Sequence, residues 1–173
     1  MKIIILPGNS KSNKEWADNS EKFFLTSDTT SKRYKQYYSH WDNDGVLDLD
    51  IELEKLSKEV AEKDDCIVFA KSAGTILTIN AVTSGLFKPL KCIFVGMPIS
   101  LDDEGSIDAI KKLESFDVPT LVIQKTSDPV SSFSTVQKVV ERFPNIKLVE
   151  IPGDDHKYDD FELINGLVEE FLK

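Results

Sequence analysis

Cysteine, histidine, tryptophan and methionine each occur only twice in the 173 residues. Two cysteines, Cys66 and Cys92, are too few for a disulfide framework in a chain of this length. Both sit inside apolar runs and read as buried free thiols of a reducing compartment. An excess of cations is missing as well: 21 Lys+Arg stand against 30 Asp+Glu, a net charge of -9. Duplex nucleic acid and anionic membranes are bound through surplus Lys and Arg, so neither is an expected partner. No apolar run approaches the ~18 residues of a membrane span. The opening run Ile3 to Leu6 is shorter than the ~7–15 residues of a signal-peptide core, so the expected location is the cytoplasm. Neither G-x-G-x-x-G nor G-x-x-x-x-G-K-[ST] occurs, which removes the main support for a dinucleotide site or a phosphate loop. A calcium loop counted from His40 reaches Ile51 at its twelfth position, where a bidentate Glu is required. No metal and no cofactor is expected.

What is present is a rhythm. At ~150 residues per domain, the length describes a single domain over residues 1–173. Short runs rich in Ile, Val and Phe occupy residues 3–6, 66–70, 92–96, 120–124 and 146–151. They lack polar alternation, as strands covered on both faces do. A weaker run at 33–38 suits a sheet edge. Helical patterns lie between them, at 50–62, 73–84, 106–116, 132–143 and 159–172, with a poorer candidate at 14–25. Asp48 or Asp50 is placed to cap the first of these, and Gly85 to stop the second. Strand and helix in alternation predict an α/β fold, a doubly wound, mostly parallel six-stranded sheet with helices on both faces. Ligands of such a sheet bind beyond the carboxyl ends of its strands.

Three residues of one chemistry fall there. Ser72 follows the run ending in Ala70 and opens a helix whose first residues, Ala73 and Gly74, are small. A nucleophile elbow, G-x-S-x-G, asks for this placement: a serine on a tight strand-to-helix turn, with helix amides behind it for a developing oxyanion. Ala70 replaces the first glycine. The acid and the base of such a site must follow in that order. Asp128 comes after the fourth main run and is the only acidic residue between Asp117 and Glu141. His156 comes after the last run and is the only histidine downstream of Ser72. His40 precedes the nucleophile, the wrong order for a base, and reads as pocket lining together with Trp41. Phe23, Phe24, Tyr34, Tyr37 and Tyr38 read as core and edge packing.

On these residues, with the opening Ile-Leu-Pro-Gly-Asn-Ser, Ser127-Asp128-Pro129 and the turn from Gly153 to His156, the chain resembles small α/β-hydrolases without a cap. It is most similar to the compact serine-hydrolase group of retinoblastoma-binding protein nine and its bacterial relatives. The resemblance spans nearly the whole chain. It implies a triad of Ser72, Asp128 and His156, and a sheet lacking the first two strands of larger relatives. It also implies an oxyanion site made by the amide of Ala73 and one from Gly8, Asn9 or Ser10. Departures are Ala70 and the acidic pair Asp154-Asp155 before the histidine.

The expected activity is hydrolysis of a carboxylic ester, with thioester or small amide as variants, and the expected partner is a small-molecule ester. The alternative is a non-catalytic interaction module that keeps the fold and binds a protein partner. Asp42, Asp44, Asp102, Asp103, Glu104, Asp154 and Asp155 are expected around the mouth, against Lys11, Lys71 and Lys157. Such a field favours neutral or cationic esters over polyanionic ones.

Overall fold

The structure is a computed structural model that describes residues 1–27, 31–43, 45–60, 65–100 and 104–173, with backbone only at 23–27 and 104. The expectations placed on the side chains of Phe23, Phe24, Asp44, Asp102, Asp103 and Glu104 lie outside the described residues.

Six strands form one sheet: β1 (Lys2–Leu6), β2 (Lys32–Lys35), β3 (Cys66–Lys71), β4 (Lys91–Val95), β5 (Thr120–Lys125) and β6 (Ile146–Ile151). Their order is β2-β1-β3-β4-β5-β6, and every neighbouring pair is parallel. Four of the apolar runs form the interior strands, buried from end to end in β3 and β5. The run at 146–151 forms β6 at the second edge and, contrary to expectation, is only partly buried. The polar run Lys32–Lys35 takes the edge, as its half-exposed side chains require. β3 runs one residue further than its apolar stretch, because Lys71 continues the pleat and pairs with Val95.

The helices are α1 (Asn13–Ser27), α2 (Leu49–Glu59), α3 (Ala73–Thr83), α4 (Glu104–Lys112), α5 (Phe133–Val140) and α6 (Phe161–Leu172). Their starts follow from local chemistry. Asp48 accepts the amides of Asp50 and Ile51 at 3.0 and 3.2 Å, Ser132 caps α5 through Thr135 N, and Asp160 caps α6 through Leu163 N. Gly85, at φ 77°, closes α3 in the left-handed region. The poor candidate at 14–25 is a full helix.

Strand alternation divides the core in two. Val68, Ala70, Phe94 and Val122 face α2, α3 and α5, packing with Leu56, Leu77 and Val136. Ile67, Phe69, Ile93, Leu121 and Ile123 face α1 and α6, packing with Trp16, Ile164 and Val168. The chain leaves β1 for β2 on one side and β3 on the other, so the order reverses between β1 and β3. A crevice at that switch point is where a parallel sheet binds its ligand. No described helix is long and apolar enough to cross a membrane.

Candidate active site

Ser72 sits between β3 and α3 with φ 50° and ψ -120°, a backbone region that side-chain-bearing residues rarely occupy. The turn is forced by close packing beneath it. A methyl on Gly74 would stand 2.2 Å from the Leu6 carbonyl oxygen and 2.8 Å from that of Pro7, so only glycine lets α3 start against the end of β1. Unlike Ser132 and Asp160, Ser72 makes no capping hydrogen bond with its side chain. Its amide donates to the Val95 carbonyl at 3.0 Å, tying it to the end of β4.

The next residue of that strand end is Gly96, at φ 61°. Any Cβ there would lie 2.9 Å from the His156 ring and 2.5 Å from that of Tyr158. The glycine therefore lets the imidazole settle beside the strand end that holds Ser72. His156 Nδ1 donates to Asp128 Oδ2 at 2.7 Å, with Oδ1 at 3.0 Å. Its Nε2 is buried and has no hydrogen-bond partner, so no bond to Ser72 is formed in this state.

Asp128 is buried, and its carboxylate is nearly saturated. Tyr158 Oη donates to Oδ2 at 2.7 Å, Val130 N to Oδ1 at 2.8 Å, and Gln124 Nε2 stands 3.4 Å from Oδ2. Burial alone would raise its pKa, but the bonds from His156, Tyr158 and Val130 outweigh that and hold it below the usual carboxylate value. The Tyr158 hydroxyl, desolvated and bound to that carboxylate, is pushed well up. It also accepts from the Lys125 amide at 2.9 Å, and the Tyr158 carbonyl accepts from Trp16 Nε1 at 2.8 Å. One tyrosine, at φ 52°, thus joins β5, α1 and the loop that carries His156.

The loop after β1 is held from the other side. The Asn9 carbonyl accepts from Trp41 Nε1 at 2.7 Å and His40 Nε2 at 2.9 Å. A trans peptide points its N–H opposite its C=O, so both bonds fix the direction of the Ser10 amide. Gly8 lies against the Asn13 side chain, and Ser10 Oγ accepts from Asn13 Nδ2 at 2.8 Å. Ala73 opens α3, where first-turn amides have no acceptor within the helix. His40 and Trp41 line a small cavity with Asn9 and Ser10, in keeping with the lining role read from sequence.

A cleft of about 670 Å³ opens beside His156, lined by Ser10, Asn13, Trp16, Lys71, Asp155 and Phe161 among others. Its charges are mixed. Asp154 and Asp155 line it as expected, joined by Glu15 and Asp159, whereas Asp42 lines a separate cavity with Lys11, Lys14 and Lys55. Asp155 accepts from the Lys125 ammonium at 2.9 Å and the Lys157 amide at 2.6 Å, which explains why an acid stands before the histidine. Sequence reading missed Tyr158, Asn13 and Trp16. No motif marks them, because their roles depend on contacts between distant segments.

An all-parallel sheet of this order, crossed by helices on both faces, is the fold of the α/β-hydrolases. It is similar to α/β-hydrolase domain-containing protein 10 from mouse, with 14% identity, a TM-score of 0.71, and 99% of this chain and 89% of that chain covered. It is also similar to an α/β-hydrolase enzyme from a sediment metagenome of the lagoon of Mar Chica, Morocco, with 16% identity, a TM-score of 0.75, and 99% and 90% covered. A third likeness is to the monoacylglycerol lipase of Paleococcus ferrophilus, at 10% identity, a TM-score of 0.68, and 99% and 93% covered. No protein-family model matches the chain, and no curated protein matches its sequence.

Proposed function

We propose that the protein is a serine hydrolase that cleaves a carboxylic ester through an acyl-enzyme on Ser72. The observation that carries this reading is the strained backbone of Ser72 at the β3–α3 turn, with no capping bond to occupy its hydroxyl. Strain of this kind persists only where surrounding structure imposes it, and it clusters at functional sites. The bare Nε2 of His156, with Nδ1 bound to Asp128, supports the reading further.

In the mechanism, Ser72 Oγ attacks the acyl carbon and its proton passes to His156 Nε2. The tetrahedral oxyanion is held by the amides of Ala73 and Ser10, the latter from the three candidates Gly8, Asn9 and Ser10. Collapse breaks the bond to the alkoxide, which leaves with the proton from His156. Water, deprotonated by the same nitrogen, then attacks the acyl-enzyme, and the acid leaves as His156 passes that proton to Ser72 Oγ. Asp128 keeps the imidazole in the tautomer with Nδ1 protonated and stabilises its charged form. Each oxyanion donor supplies roughly 2.7–4 kcal/mol of barrier lowering. The stretch from Met97 to Ser106 is short for a cap, and an open site of that kind takes varied substrates and selects weakly among them.

The test is labelling with a fluorophosphonate, together with turnover of p-nitrophenyl butyrate. Covalent labelling of the chain, abolished in Ser72→Ala, is the expected result. An unlabelled chain that leaves the ester intact would refute the assignment and favour the interaction module.

A further inference from the structure

Lys71 has no part in the mechanism above, yet it is 5% exposed and lines the cleft beside His156. Its ammonium donates to Asn13 Oδ1 at 2.8 Å and stands 5.6 Å from the Trp16 ring centroid. No described carboxylate lies within ion-pair distance of it. Lys125, which ends β5 as Lys71 ends β3, differs in this respect, since Asp155 neutralises it at 2.9 Å. A lysine ammonium has three donors, and a buried one without a counter-ion is costly. Lys71 thus places an amino group in a cavity wall with donor capacity left over.

Resting on the serine-hydrolase reading, we propose that Lys71 is the docking point for a carboxylate carried on the acyl chain of the substrate. The position suits this. Lys71 directly precedes Ser72 in the chain and lines the same cleft as His156, so an acyl group held at Ser72 beside that imidazole has the ammonium among its neighbours. The cleft also limits the charge it takes. Glu15, Asp154 and Asp159 line it with no ion pair among the described residues, and they disfavour polyanions, whereas Lys71 offers a place to a single carboxylate. The class of substrate is therefore the monoester of a short dicarboxylic acid.

Burial lowers the Lys71 pKa to about 8, opposed by Asp159, Asp128 and Asp155 and reinforced by Lys125. The other titratable groups lining the cleft are Glu15 from α1, and His156, Lys157 and Asp154 from the loop after β6. Docking should therefore weaken as pH rises through about 8.

The experiment compares kcat/KM for mono-p-nitrophenyl glutarate and for p-nitrophenyl valerate, its uncharged counterpart. The native chain should prefer the glutarate ester about tenfold or more, as bonds to charged groups do. Lys71→Met should bring the ratio to about one or below; because a ratio is read, a general loss of activity cancels. The ratio in the native chain should also fall between pH 7 and pH 9.5, which serves if the variant does not fold. Equal turnover of both esters by the native chain, or a ratio unmoved by pH, overturns the docking role and leaves the hydrolase intact. If neither ester turns over, nuclear magnetic resonance titration of Ser72→Ala decides. Glutarate-ester binding that weakens through pH 8 sustains the Lys71 site alone, and its absence overturns it.

Discussion

The two faces of the sheet are built from the same strands, yet they finish differently. On the side of α2, α3 and α5, β3 presents Cys66, Val68 and Ala70, and the apolar pattern holds to the last residue. On the side of α1 and α6 it presents Ile67 and Phe69, and then Lys71. β5 repeats the contrast: Leu121 and Ile123 are followed by Lys125 on the α1–α6 side, while Gln124 ends the other. Gln124 is fully engaged, accepting from Met97 N at 2.9 Å and donating to the Ser131 carbonyl at 2.5 Å. One face therefore ends in groups that hold loops, and the other in two cations, Lys125 paired with Asp155 and Lys71 lining the cleft. Period-two alternation, which builds a core in the middle of a strand, delivers charge to a site at its end.

The comparison is broken most severely at the carboxyl edge itself. Ser72→Ala and His156→Ala should each cut ester turnover by about 10⁶-fold, to the level left by binding and oxyanion contacts. Urea unfolding of Ser72→Ala should match the native curve, whereas His156→Ala should cost about 1–3 kcal/mol because Asp128 loses a donor. Retained turnover in either would remove it from the triad. Asp128→Asn is next, with an expected loss of about 10⁴ in kcat, because an amide favours the wrong imidazole tautomer. A loss of two- or threefold would mean that another acid serves His156.

Tyr158→Phe tests the joint between the two ends. It deletes the donor to Asp128 Oδ2 and leaves the Lys125 amide without its acceptor. We expect about 1–3 kcal/mol less stability by urea unfolding. A roughly tenfold lower kcat should accompany it, and an unchanged kcat would make the tyrosine purely structural.

Lys71 supplies a pH-dependent comparison. The unfolded chain keeps this proton up to about pH 10.4, whereas the folded chain releases it near 8. Between those values the unfolded state binds more protons, so folding stability rises with pH. The contribution of Lys71 is least favourable below pH 8 and improves by about 3 kcal/mol on reaching pH 10.4. Subtracting the unfolding curve of Lys71→Met isolates this rise, and a flat difference would show that Lys71 stays charged in the folded chain. The smallest effect is expected on the apolar face. Ala70→Gly, which removes one buried methyl opposite Leu6 and Phe94, should cost about 1 kcal/mol and change turnover less than threefold.

These two faces also mark what could be read from the chain. Buried strands announce themselves as apolar runs, so β1 and β3 to β5 fell within a residue of their observed bounds, as did the apolar but half-exposed edge strand β6. Caps and stops were legible where one residue supplies the chemistry, as Asp48 and Gly85 do. The run ending at Ala70 was read one residue short, because a lysine in a pleat has the composition of a loop. The order Ser72, Asp128, His156 could be read since each follows its own strand. The remainder of the site arises from tertiary contact. Tyr158 and Asn13 acquire roles only when α1, β5 and the loop after β6 meet.

The scarcity of tryptophan has an optical consequence. The only two indoles stand on opposite sides of the loop after β1. Trp16 is stacked on Phe69 at 5.1 Å, with the Lys71 ammonium near its face. Trp41 is fastened to the Asn9 carbonyl beside the smaller cavity. Ultraviolet emission from the protein is thus a two-channel signal, one channel sensing charge on the cleft floor and the other sensing displacement of the loop. Trp16→Phe and Trp41→Phe separate the channels, so the arrival of a ligand can be followed in real time without any attached dye.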